Sequence, residues 1–269
     1  MADTRDNPVS DEKYISANGL KIHYREWGSG RPLVLLHGAT ETHALWSPFL
    51  PTLTQEYRVI TPDSRGHGRT VNPEPHLSYQ MMGDDLAGFI RALDLDSPLI
   101  FGYSDGGQAA LDLGIHYPDL PGALVIGGVW VRFSRDYQNT ISAAGFVPPG
   151  EMDFDLYEKQ APADWEERLR RMHRDPRPEY PRILLANLAE LWWTPLGYSD
   201  EDFRNISAPV LILMGEKDEA IPLEEARELA KKIPRAELAV IPGAGHNDVI
   251  VCGGAFLEIT LGFLRRLAP

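Results

Sequence analysis

Apolar and polar residues alternate along residues 13–17 and again along 20–27, the period of strands with one wet face. Asn18-Gly19 between them is the strongest short-range hairpin signal, so the two segments are expected to pair antiparallel at a sheet edge. The pattern then changes. Residues 32–36, 57–61, 98–103, 123–127, 210–214 and 237–241 are short apolar runs without alternation, which fits strands buried on both faces of a parallel sheet. Between several of them, residues 79–93, 108–116, 223–232 and 255–267 repeat apolar positions at three- and four-residue spacing, as amphipathic helices do. Strand and helix alternating in this way predict a doubly wound α/β sheet.

The alternation breaks between 130 and 208, where no strand is expected. Residues 163–173 and 181–192 read instead as short helices, the first with Asp164 at the N-cap and Glu167 three residues on. The expected organisation is a core domain of residues 1–129 and 209–269, with a helical lid inserted at 130–208 above the carboxyl ends of the sheet. No internal repeat is visible.

The chain has 269 residues, enough for one large core with such an insertion. Its net charge of −13, with no run of Lys or Arg, argues against nucleic acid as a partner. No stretch offers the roughly 20 apolar residues of a membrane span, and acids stand where a secretory signal would be apolar. The single cysteine, Cys252, excludes an internal disulfide and multi-cysteine metal frameworks. It is expected as a small buried hydrophobe near the start of the last helix, in a protein of the reducing cytoplasm.

Gly102-Tyr103-Ser104-Asp105-Gly106 matches G-x-S-x-G, between the apolar residues 99–101 and a helical pattern. Such a tight strand-to-helix turn forces its central serine into a strained conformation and presents the hydroxyl alone. A hydroxyl is a weak nucleophile at neutral pH, so it needs a general base, and the base needs an acid to orient it. His246 ends Pro242-Gly243-Ala244-Gly245-His246, a Gly-rich loop directly after the last expected strand. Asp218 lies in Gly215-Glu216-Lys217-Asp218, just past another strand, with Glu216 and Glu219 as possible substitutes. Asp248 is expected to cap a helix instead.

The order Ser104, Asp218, His246 resembles the α/β-hydrolase superfamily, and more narrowly its small lidded serine esterase-like branch. The resemblance spans residues 13–267. His37-Gly38 resembles the family's oxyanion loop, and residues 63–69, Asp-Ser-Arg-Gly-His-Gly-Arg, resemble a turn that is structural there, so Arg65 and His67 are not catalytic candidates. The resemblance implies an oxyanion hole at the backbone N–H groups of Ala39 and Asp105, each typically worth about 3 kcal/mol to a tetrahedral intermediate. Asp105 departs from the apolar residue often found after the serine. Facing the pocket, it would disfavour anionic substrates; pointing into the helix terminus, it would complement the dipole, and the second orientation is expected.

Serine at the elbow argues against the dehalogenase and epoxide hydrolase relatives, which are known for Asp there. The expected reaction is hydrolysis of a carboxylic ester, lactone or thioester through an acyl-enzyme on Ser104, with no metal or organic cofactor. The insertion is rich in aromatic residues, among them Trp130, Phe146, Trp165, Trp192 and Trp193, which suits a small to medium, apolar or aromatic substrate. Phe146, Trp192 and Trp193 are the candidate pocket residues. Three alternatives stand beside this one. They are a carbon–carbon bond hydrolase, whose relatives commonly have a longer Gly-rich oxyanion loop than His37-Gly38-Ala39-Thr40, a cofactor-free haloperoxidase or perhydrolase, and a ligand-sensing protein of slow turnover. A monomer or homodimer is expected.

Overall fold

Asn18 and Gly19 take φ values of 47° and 75°, the pair of left-handed residues that a type I′ turn requires. In this computed structural model, which describes residues 11–251 and 254–267, β1 (Lys13–Ala17) therefore folds back on β2 (Leu20–Trp27) with Ala17 opposite Leu20. The Asn18 amide also donates to Asp85 at 2.7 Å. The chain continues through β3 (Arg31–Leu36), a 3₁₀ turn at His43–Phe49, α1 (Leu50–Leu53), β4 (Tyr57–Pro62), α2 (Tyr79–Ala92), β5 (Leu99–Tyr103), α3 (Asp105–His116) and β6 (Ala123–Gly127). An inserted segment follows, with α4 (Arg135–Ala143), β7 (Phe146–Val147), β8 (Glu151–Met152), α5 (Phe154–Glu158), α6 (Trp165–Met172), α7 (Tyr180–Trp193) and α8 (Asp200–Arg204). The sheet resumes with β9 (Val210–Gly215), α9 (Leu223–Lys232), β10 (Ala236–Ile241), α10 (Asp248–Val251) and α11 (Gly254–Arg266).

The eight strands lie in the order β1-β2-β4-β3-β5-β6-β9-β10. The last six run parallel, and β1 and β2 are antiparallel at one edge. Successive residues of a strand face opposite sides, and here both sides are covered. Val34, Leu36, Ile100 and Ile126 pack with α2, α3 and the insertion, whereas Leu33, Leu35, Phe101 and Val125 pack with Trp46, Phe49, Phe256 and Phe263. That double cover is why the central strands read as unbroken apolar runs. β10 departs from expectation: four of its six residues are only half-buried, because it is the outer edge and has a neighbour on one side alone. β4 and β5 flank β3 on opposite sides, so the chain changes winding direction there, the place where open α/β sheets bind ligands.

The insertion holds more structure than its sequence pattern suggested. β7 and β8 form a two-stranded ribbon where no strand was expected, and α4 was missed because only Tyr137 and Ile141 of its residues are buried. Asp164 precedes α6 but makes no side-chain cap bond; its carboxylate lies 3.8 Å from Arg171 instead, on the solvent face. Cys252 lies outside the described residues. Among the described residues no helix is long and apolar enough to cross a membrane.

Candidate active site

The turn from β5 into α3 leaves no room for a side chain on either flank of Ser104. A Cβ on Gly102 would come within 2.1 Å of the Gly106 carbonyl oxygen, and one on Gly106 within 2.5 Å of that of Leu36. Ser104 between them is held at φ 53°, ψ −124°, a region that costs a non-glycine residue about 1–3 kcal/mol. Two backbone bonds offset that strain: Ser104 N–H donates to the Gly127 carbonyl at 2.8 Å, and its carbonyl accepts from Gln108 at 2.9 Å.

Ser104 Oγ stands 3.2 Å from His246 Nε2, and His246 Nδ1 stands 2.8 Å from Asp218 Oδ2. Asp218 is closed off from solvent, and its other oxygen accepts from the backbone N–H groups of Ala220 and Ile221 at 3.0 and 2.8 Å, which holds the carboxylate aimed at the imidazole. The two glutamates weighed as substitutes do other work. Glu219 accepts from the His246 backbone N–H at 3.0 Å, and Glu216 from that of Gly243 at 2.8 Å. Asp248 turns back to accept from Gly245 N–H at 3.0 Å. Tyr103, inside the elbow itself, donates its hydroxyl to the His246 carbonyl at 2.6 Å. A Gly-rich loop flexible by composition is thus pinned at four points, by contacts that no sequence pattern reports; Glu216, Glu219 and Asp248 were expected in other roles. Burial pulls the His246 imidazole down, but the hydrogen bond and charge of Asp218, with Glu219 and Asp105 adding, outweigh it and hold the pKa above 6.5.

The two expected oxyanion donors belong to the residues that follow Ser104 and Gly38. Asp105 is the first residue of α3, so its N–H has no intrahelical acceptor. Gly38 lies against the serine, a Cβ there being only 3.2 Å from Ser104 Cβ. Ala39 follows, and the carbonyls on either side of it are each held by an imidazole. His37 accepts from Ser64 N–H at Nε2 (3.0 Å), so the proton sits on Nδ1 and is donated to the Gly38 carbonyl at 2.8 Å. His173, at the end of α6, accepts from Gly68 N–H at Nδ1 (2.9 Å) and donates from Nε2 to the Thr40 carbonyl at 3.1 Å. Thr40 needs such support, because a β-branched residue at φ 56° is strained. Burial pushes both rings toward the neutral form, His173 to about 4. His67 packs between them, 5.2 and 5.4 Å from the two ring centres.

Asp105 does not simply complement its helix. Its carboxylate accepts from the Tyr79 hydroxyl at 2.7 Å and from the Trp192 indole N–H at 3.0 and 3.3 Å. A buried carboxylate needs donors, and the insertion supplies one from α7, so the expected orientation is corrected. Trp192 also packs on Phe146 with ring centres 4.4 Å apart, which brings two candidate pocket residues beside the residue following the serine. Trp193 turns away, donating to the Phe146 carbonyl at 2.7 Å and packing on Phe133.

Among the described residues one group of three metal-capable side chains converges, His23, His43 and Asp63. Nδ1 of each histidine is already hydrogen-bonded to one of the two Asp63 oxygens, at 2.7 and 2.8 Å, and those oxygens also accept from His43 and Arg69 backbone N–H groups. Burial would raise the Asp63 pKa, but these histidine bonds hold it far below the usual carboxylate range. The cluster fits a hydrogen-bonded scaffold for the turn after β4, which also carries the buried Arg65–Asp85 pair.

A mostly parallel sheet with an antiparallel edge, a serine on a strained strand-to-helix turn, and a histidine and aspartate in line with it define a hydrolase of the α/β type. The sequence profile of the family described as alpha/beta hydrolase fold matches residues 31–251, and the chain belongs to that family. It is 30% identical over 265 residues to 2-hydroxy-6-oxo-2,4-heptadienoate hydrolase of Pseudomonas putida, covering 94% of this chain and 95% of that one. It is 28% identical to a putative carbamate hydrolase of a Caulobacter species, covering 91% and 94%. The structure of a thermophilic esterase from Thermogutta terrifontis superposes with a TM-score of 0.74 at 23% identity, covering 97% of this chain and all of that one, a likeness of fold.

Proposed function

We propose that the protein is a serine hydrolase cleaving a carboxylic ester, lactone or thioester of a small to medium substrate through an acyl-enzyme on Ser104. The observation that carries this reading is the unbroken line from Ser104 Oγ through His246 to Asp218, at 3.2 and 2.8 Å. In that arrangement His246 Nε2 takes the serine proton as Oγ attacks the carbonyl, and the imidazolium that forms is stabilised by Asp218. In this reading the Ala39 and Asp105 amides serve as donors to the developing oxyanion. His246 then returns the proton to the leaving alcohol, and water repeats the sequence to release the acid.

The test is hydrolysis of p-nitrophenyl esters from acetate to decanoate by wild type, Ser104→Ala and His246→Ala. Wild-type turnover that falls about a thousand-fold or more in both variants is expected, since such residues act as a unit. Retention of more than about one-tenth of kcat in either refutes the assignment. A second reading, a carbon–carbon bond hydrolase, is favoured by the relative named for a 2-hydroxy-6-oxo-heptadienoate. Turnover of such a dienoate with inert p-nitrophenyl esters would select it.

A further inference from the structure

Asp105 stands next to Ser104 in the chain and is 5% exposed. Both of its carboxylate oxygens lie within reach of the Trp192 indole N–H, which can only donate, and Oδ1 also receives the Tyr79 hydroxyl. Among the described residues no Lys or Arg side chain pairs with it. Burial pushes the Asp105 carboxyl upward, while the Tyr79 and Trp192 donors and the nearby His246 favour its ionised form, so the charge it carries beside the nucleophile is held by neutral donors and not by a Lys or Arg. During acyl transfer the oxyanion is matched by the His246 imidazolium, and that cation also offsets Asp105. A carboxylate on the substrate would bring a second negative charge to the same side of the nucleophile.

We infer that this site accepts uncharged acyl groups and turns away carboxylate-bearing ones, with Asp105 as the residue that sets the preference. The inference rests on the ester-hydrolase reading above and adds the substrate's charge to it. A unit negative charge about 8 Å from Asp105, at an effective dielectric near 20, is disfavoured about thirtyfold. The same charge distinguishes this site from what the relative's name describes, since a heptadienoate is an anion.

The experiment compares mono-p-nitrophenyl glutarate with its methyl ester, two substrates of the same chain length that differ by one charge and one methyl group. In wild type, kcat/KM for the methyl ester is expected to exceed that for the acid about thirtyfold. Asp105→Asn, which keeps an acceptor for Tyr79 and Trp192, should bring the ratio of the two substrates within about threefold, whatever its effect on each alone. Asp105→Ser serves the same comparison if the Asn variant does not fold. Trp192→Phe removes the indole donor but leaves the charge, so the ratio should persist there. Equal wild-type turnover of the two esters, or a ratio that collapses in Trp192→Phe and survives in Asp105→Asn or Asp105→Ser, overturns the inference and leaves the hydrolase reading standing. Failure of folded wild type to turn over either ester overturns both.

Discussion

Replacing His173 by Gln keeps a neutral donor and acceptor between Gly68 and Thr40 and removes only the ability to take a proton. In the folded protein Nδ1 is occupied by the Gly68 N–H at 2.9 Å, so protonation there must break a bond inside a site 2% exposed. The folded pKa accordingly falls from 6.5 to about 4. Between these values the unfolded chain binds a proton that the folded chain refuses. The stability contributed by the neutral ring is thus fully present above pH 6.5 and is lost as pH falls toward 4. From pH 7 to pH 4.5 the loss amounts to about 2 kcal/mol. Urea unfolding of wild type and His173→Gln at half-unit steps across this range should give two curves of free energy against pH. The variant's is expected to be shallower by about that 2 kcal/mol. Curves parallel to within about 0.5 kcal/mol would show that His173 titrates normally and would sink the account of how the Thr40 carbonyl is held.

Two further outcomes follow from the same geometry. In the proposed mechanism His246 must be neutral to accept the serine proton, and its pKa is held above 6.5, so the acid limb of kcat/KM should have its midpoint above that value. Asp105→Asn should shift this limb to lower pH, and a limb unmoved by the substitution would remove Asp105 from the electrostatics of the base. Gly106→Ala would place a Cβ 2.5 and 2.6 Å from the Leu36 and His37 carbonyl oxygens, backbone that cannot step aside. It should cost at least about 3 kcal/mol by urea unfolding, and a loss under about 1 kcal/mol would show that the elbow is looser than its packing implies.

The core fold was legible because each of its central strands is covered on both faces and so reads as an uninterrupted apolar run. Ser104, His246 and Asp218 were legible for a different reason. The first two sit among glycines and all three follow strands, so composition and order mark them. β7, β8 and α4 were not, since two-residue strands and a helix burying only Tyr137 and Ile141 impose almost no period on the sequence.

The contacts through which side chains tune the site left no local trace. Tyr79, Tyr103, His173 and Glu219 act through contacts with residues 26, 143, 133 and 27 positions away, and no pattern within a window reports such pairs. The amino-acid sequence determined which groups could do chemistry and in what order strands carry them. Which carboxylate reaches His246, which one merely holds its loop, and where Asp105 spends its charge were decided only when the sheet brought distant strand ends together, because hydrogen bonds depend on separations in space that the chain order does not encode.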